Sequence, residues 1–287
     1  MELLVLVLVL LGGTLGSGIK EKALDMAPNA FDDQYKSCRT EMEKKLRNLV
    51  HSELDINKDF ARAWAKASEE WKKRHRQQCP LQQDQAIALL AYTDSALSEA
   101  FKTAMAQSGP SAFIYCHNFH FKALHFLLTM ALSDKAHPQG TCLTVFRGAK
   151  PRFTAKRGQT VRFGHFASSS LKEQVTKKFG TNTFFKVETC HGAFIRDFSF
   201  YPKEDEVLIP PFETFQVISV SPKKEGVHIH LRSSGTCSNY HCEFTRAEKC
   251  KNKAKTCKAG RSIHRDPLHI PGLLLTAVGP AAANGTH

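Results

Sequence analysis

Gly140-Thr141-Cys142-Leu143-Thr144-Val145-Phe146-Arg147-Gly148 is where the chain changes its period. Upstream, apolar residues recur every three or four positions: Met42, Leu46, Leu49 and Val50 make one stripe, and Ile87, Leu90, Leu97 and Phe101 another. That spacing puts them on one side of a helix. Pro80 stands ahead of the second stripe and Gly109-Pro110 after it, residues that bound helices. Residues 119 to 132, with Leu124, Leu127, Leu128 and Met130, read as a further, more apolar helix. Downstream of Gly140, short β-rich runs take over at 142–146, 160–163, 183–189, 206–209, 215–220 and 227–231, and 171–179 reads as one short helix among them. Helices to about residue 135 followed by strands from about 140 imply an α+β protein rather than alternating β-α units.

The 287 residues hold 42% hydrophobic side chains, 17 Gly and 12 Pro, which excludes collagen, coiled coil and wholesale disorder. Lys+Arg 40 against Asp+Glu 27 gives a formal charge of +13, an attraction for polyanions that says nothing about fold. Leu3 to Leu11 is an unbroken run of nine Leu and Val residues followed by small residues, the length of a secretory signal core and too short to span a bilayer. Residues 1–18 are therefore read as a signal peptide and 19–247 as a single domain. The segment 248–287, opening with Lys249, Lys251, Lys253, Lys255 and Lys258, is read as a basic, flexible tail with a polyanion contact as its candidate role. Secretion, or delivery to a secretory-granule lumen, is expected over a glycolipid anchor, because the apolar patch 273–278 gives way to polar Asn284-Gly285-Thr286-His287. In that compartment the nine cysteines are expected as disulfide partners rather than a zinc cluster, the odd count leaving at least one thiol over or one intermolecular bond, and no transmembrane segment or metal is expected.

Three short motifs can carry chemistry. Glu204-Asp205-Glu206 precedes Val207-Leu208-Ile209; in an extended chain the two glutamates share a side, and neighbouring carboxylates push one pKa up. Arg147-Gly148 ends a strand with a group that clamps phosphate or fixes a carboxylate, beside a glycine through which a ligand can approach backbone. Phe166-Ala167-Ser168-Ser169-Ser170 ends the next strand and opens a helix, where a serine can cap and bind a ribose hydroxyl. No G-x-G-x-x-G cradle occurs.

In the order Arg, Ser-x-Ser, Glu-x-Glu, these motifs resemble the arginine-specific mono-ADP-ribosyltransferases, the vertebrate secreted and cell-surface family related to cholera-type toxins. Further matching stretches are Ala88-Leu89-Leu90-Ala91-Tyr92-Thr93, residues 121–129 and Val207-Leu208-Ile209-Pro210-Pro211-Phe212-Glu213-Thr214-Phe215. The resemblance implies helices packed on a mixed or antiparallel β core of two sheets that form an NAD cleft. It implies transfer of ADP-ribose from NAD, or NADP, to arginine guanidinium groups of acceptor proteins, with nicotinamide released. Arg147 would contact NAD with the Gly148 backbone beside it, Ser168 would bind the nicotinamide-side ribose, and Glu206 would stabilise the oxocarbenium-like transition state. Glu204 would orient and deprotonate the acceptor. Tyr92, Ser199 and His165 fall where the family also contacts NAD, although relatives often carry Gln or Gly at the last. Phe179 or Phe184 would stack on nicotinamide. The family pattern also implies Cys38–Cys242 and Cys142–Cys190 disulfides, leaving Cys79, Cys116, Cys237, Cys250 and Cys257 unassigned. The chemistry agrees: a carboxylate opposes charge building on ribose, and an acceptor whose pKa exceeds ~12 needs a second one. Two other readings are an enzyme that mainly hydrolyses NAD and a secreted basic protein that binds glycans or nucleic acid.

Overall fold

The computed structural model describes residues 21–74, 80–135 and 141–249. The signal-peptide reading, all but the first two residues of the 248–287 tail, Cys79, Cys250, Cys257 and Asn284 lie outside the described residues. Six helices open the domain: α1 Arg39–Ile56, α2 Lys58–Arg74, α3 Gln83–Tyr92, α4 Ser95–Ser108, α5 Ala112–Asn118 and α6 Lys122–Asp134. In α1 the buried residues are Met42, Leu46, Leu49 and Glu53, and in α2 Phe60, Ala63, Ala67 and Trp71, the narrow stripe of a helix wetted on its outer side. By contrast α3 buries every residue from Gln85 to Tyr92, and α6 every residue from Lys122 to Leu132. These two form the centre of the helical layer. The apolar stripe from Ile87 to Phe101 is two helices rather than one, because Asp94 caps α4 by accepting from the Ala96 and Leu97 amides. None of the described helices is long and apolar enough to cross a membrane.

The strands are β1 Glu21–Ala23, β2 Leu143–Ala149, β3 Arg152–Thr154, β4 Thr160–Val161, β5 Ala167–Ser170, β6 Thr183–Thr189, β7 Ala193–Phe194, β8 Glu206–Ile209, β9 Glu213–Lys223 and β10 Gly226–Thr236. Two sheets result: β1 with β3, and an eight-stranded mixed sheet in the order β4-β9-β10-β6-β2-β5-β8-β7. Its pairs are antiparallel except β10 with β6. One core lies among the helices and reaches the sheet through Phe166, Ala193 and Leu208; the other, around Val145, Phe185, Val187, Phe215 and Ile229, lies across the sheet. Disulfides join Cys38 at the head of α1 to Cys242, and Cys142 to Cys190 beside the β2–β6 pair. Cys116 and Cys237 are disulfide-bonded as well.

Candidate active site

Arg147, Ser168 and Glu206 stand on β2, β5 and β8, three consecutive strands of the large sheet. Ser170 is registered opposite Glu206, and Ser168, two residues along β5, shares that side of the strand. β2 and β5 are registered at one pair only, Phe146 with Ser170. Beyond that pair the Arg147 side chain bridges them, Nη1 donating to the Ser168 carbonyl oxygen. The guanidinium makes no ion pair among the described residues, and burial lowers its pKa against the raising pull of Tyr92, Glu99 and Glu206. A guanidinium held this way has donors left for an anionic or carbonyl-bearing ligand.

Glu206 is 7% exposed. Burial is the chief reason its carboxyl is pushed up to about 7; Glu204 raises it further, and the neighbouring Ser168 and Ser199 hydroxyls and the charge of Arg147 draw it down. Ser199 is fully buried and also accepts from the Tyr201 amide at 3.0 Å. Tyr92, at the end of α3, donates to the Phe166 carbonyl at 2.8 Å and accepts from Ser168 Oγ at 3.4 Å. His165 donates from Nδ1 to the Phe166 carbonyl at 2.8 Å, and burial holds it neutral with its pKa lowered to about 3. Every one of these residues therefore borders one region.

Four expectations change in detail. The Glu204-Asp205-Glu206 triplet is not extended: Pro202–Glu204 is a 3-10 turn, Asp205 adopts a left-handed φ of 44°, and only Glu206 enters the strand. Across that turn Glu204 still raises the Glu206 carboxyl. Residues 167–170 form a strand and do not open a helix; Ser170 instead accepts from the Lys172 amide at 2.9 Å and donates to the Glu204 carbonyl at 2.6 Å, tying the two motifs together. Gly148 serves packing of the chain on itself, since an added Cβ would sit 2.2 Å from the Thr176 carbonyl oxygen and 2.5 Å from that of Gly180. The short helix read at 171–179 is a 3-10 segment, Glu173–Phe179.

The two phenylalanines are also separated. Phe184 stacks on Phe146 at 5.9 Å and lies 4.8 Å from His228. Phe179 is 48% exposed at the end of the segment whose Lys178 ion-pairs with Glu204. Of the two, Phe179 is the one tied to a carboxylate, through the Lys178 ammonium that lies 5.0 Å from its ring centre and pairs with Glu204. Sequence reading missed Glu99 and Lys102 on α4, which pair at 2.6 Å and act electrostatically on Arg147. Their i, i+3 spacing was the available signal, but surface pairs share it.

The family model for NAD:arginine ADP-ribosyltransferases matches residues 24–239. An erythroblast NAD(P)(+)--arginine ADP-ribosyltransferase of Gallus gallus is 45% identical over 275 residues, 94% of this chain and 90% of the relative. The GPI-linked NAD(P)(+)--arginine ADP-ribosyltransferase 1 of Mus musculus is 44% identical, over 81% and 76% of the two chains. Among solved structures, the eucaryotic mono-ADP-ribosyltransferase ART2.2 aligns with a TM-score of 0.69 at 36% identity, covering 77% of this chain and 98% of that one. A variant of ART2.2 solved in complex with NAD aligns with a TM-score of 0.68.

Proposed function

The chain belongs to the NAD:arginine ADP-ribosyltransferase family, and on that premise we propose that Arg147, Ser168, Glu204 and Glu206 are its active site. The protein is an NAD-dependent mono-ADP-ribosyltransferase that modifies arginine side chains of proteins and releases nicotinamide. One observation carries the site assignment: a buried carboxyl, Glu206, faces two serines and a guanidinium that has no carboxylate partner among the described residues. That donor set fits NAD, whose diphosphate and carboxamide need hydrogen-bond donors and whose ribose needs an acceptor.

Bound there, NAD supplies a ribose carbon with a cationic leaving group. Glu206 accepts a hydrogen bond from the ribose 2′-hydroxyl and opposes the positive charge that builds as nicotinamide departs. Ser168 holds the nicotinamide-side ribose, Tyr92 fixes Ser168, and Arg147 holds the dinucleotide. Ser199 donates to Glu206 and keeps it aimed; His165, being neutral, offers Nε2 as an acceptor. Phe179 supplies the ring against nicotinamide. Glu204 takes the proton of the acceptor guanidinium.

Two tests follow from the roles of the carboxylates. The ionised form of Glu206 is the active one, so kcat/KM for nicotinamide release should fall about tenfold per pH unit below about 7 and level off above it. A flat profile between about pH 5.5 and 8 would contradict the role. Glu204→Gln should lower transfer to agmatine about 10²-fold while nicotinamide release into water changes less than about fivefold. Parallel loss of both reactions would remove Glu204 from the acceptor side.

The hydrolase reading is distinguished in the same assay, by nicotinamide appearing without adduct. The glycan or nucleic-acid reading draws on the lysines of 249–258; it requires salt-sensitive binding that survives Glu206→Gln. Disulfides mark the protein as one that matures in an oxidising compartment. Secretion, or storage in a granule lumen, is the proposed destination. The GPI-linked relatives favour a surface-anchored form as a second reading, which release by a phosphatidylinositol-specific phospholipase would reveal.

A further inference from the structure

The acceptor side of the cleft is rimmed by its own cations. Lys178, next to the end of the 3-10 segment, ion-pairs with Glu204, its side chain 52% exposed against 18% for the glutamate. Lys172 pairs with Asp205 at 2.7 Å and donates to the Lys203 carbonyl at 3.3 Å. Lys177 and Lys203 are exposed, as is the single acidic residue of the 3-10 segment, Glu173. A lysine ammonium thus rests on the carboxylate that the site assignment gives to the acceptor guanidinium. An arginine that docks on Glu204 must displace it. The displaced ammonium, which also lies 5.0 Å from the Phe179 ring centre, then joins the exposed Lys177 and Lys203, with Asp205 already held by Lys172 and Glu173 exposed on the 3-10 segment.

We propose that this rim selects acceptor segments whose arginine is flanked by Asp or Glu, the arginine taking Glu204 and its acidic neighbour taking Lys178. The inference rests on the active-site assignment above. No covalent bond changes; one intramolecular ion pair is exchanged for two between enzyme and acceptor. An acceptor without an acidic neighbour leaves Lys178 unpaired among other lysines, and a basic neighbour adds repulsion. Lys178 is thereby both competitor and reader: it opposes small guanidines and favours acidic segments. Because the lysine side of the pair is exposed and the glutamate partly so, each exchange is worth only a few-fold and is screened by salt.

The test uses the disulfide-intact protein with saturating NAD and three peptides that differ only in the residues flanking one arginine: Asp, Asn or Lys. Agmatine is the fourth acceptor. kcat/KM is measured in about 50 mM and about 500 mM NaCl for wild type, Lys178→Ala and the double variant Lys177→Ala/Lys203→Ala. Wild type is expected to favour the Asp peptide over the Asn peptide by about three- to tenfold at low salt, the ratio shrinking toward one at high salt. Lys178→Ala should lose most of that ratio and lower the KM for agmatine about two- to fivefold, a gain that a merely damaged enzyme would not show. The double variant should keep the agmatine KM and lose part of the peptide ratio. Equal kcat/KM for the three peptides in wild type, beside ready transfer to agmatine, overturns the rim and leaves the transferase standing. So does a higher agmatine KM in Lys178→Ala. Absence of transfer to every acceptor removes the active-site reading and this inference together.

Discussion

Glu206→Gln is expected to lower nicotinamide release and transfer alike by about 10³-fold or more, and at the same time to make the protein more stable at pH 8. The activity loss follows from position: a neutral amide cannot oppose charge developing on the ribose, and electrostatic contributions of this kind are among the largest in catalysis. The gain follows from burial. Glu206 titrates at about 7 in the folded protein against an ordinary 4.5. Between those values the folded protein keeps a proton that the unfolded chain has released, so stability falls as pH rises through that window. Its cost is absent below about 4.5 and complete above about 7, where the shift amounts to roughly 3 kcal/mol at about 1.4 kcal/mol per unit. Glutamine removes that ionisation, so its urea midpoint should exceed wild type's at pH 8 and match it near pH 4.5. The two halves are linked, since a site that needs a desolvated carboxylate is stabilised by losing it. A variant less stable than wild type at pH 8, or one retaining a tenth of the nicotinamide release, would contradict the account.

How much of this was legible in the sequence depends on the range of the interaction. The stripe through Met42, Leu46 and Leu49 and the β-rich runs at 183–189 and 206–209 appear as helix and strands because each records its own burial periodicity. The break at Thr93-Asp94 was hidden because apolar spacing continues through it, while a capping carboxylate depends on hydrogen bonds that spacing does not encode. Strand β5 was read as a helix start since Ser-Ser-Ser has no strand period of its own; its pairing with β8 overrides local preference. Family resemblance named the site residues one by one. It could not say that Gly148 is required by the carbonyls of Thr176 and Gly180, nor choose between Phe179 and Phe184. That choice needed the tertiary contacts of each ring, Phe184 against Phe146 and His228 and Phe179 beside the ammonium that pairs with Glu204.

Asp32→Ala is the substitution expected to cost most in stability, about 3–5 kcal/mol, although it touches no reacting group. Nothing in the spacing of Asp32 and Arg162 marks them, yet both side chains are completely buried and ion-paired. Arg162 spends its other donors on backbone: Nε on the Met26 carbonyl, Nη1 on Cys237 at 2.9 Å and Nη2 on Ala27 at 3.0 Å. Asp32 accepts the Asn239 amide at 2.8 and 3.0 Å and the Tyr240 amide at 3.1 Å. The pair thus fastens together three chain regions, the segment before α1, the residue after β4 and the stretch beyond β10. Removing the carboxylate strands a buried guanidinium and two backbone amides, and breaking a buried pair from one side costs far more than the pair contributes net. The double substitution Asp32→Leu/Arg162→Met should therefore recover part of the loss, since it strands no charge. Chemical unfolding with the disulfides intact reads both values, and nicotinamide release per folded molecule should stay within severalfold of wild type. Should Asp32→Ala fall within 1 kcal/mol of wild type, or the double variant be no better than the single one, the buried pair is not what joins the two ends of the domain.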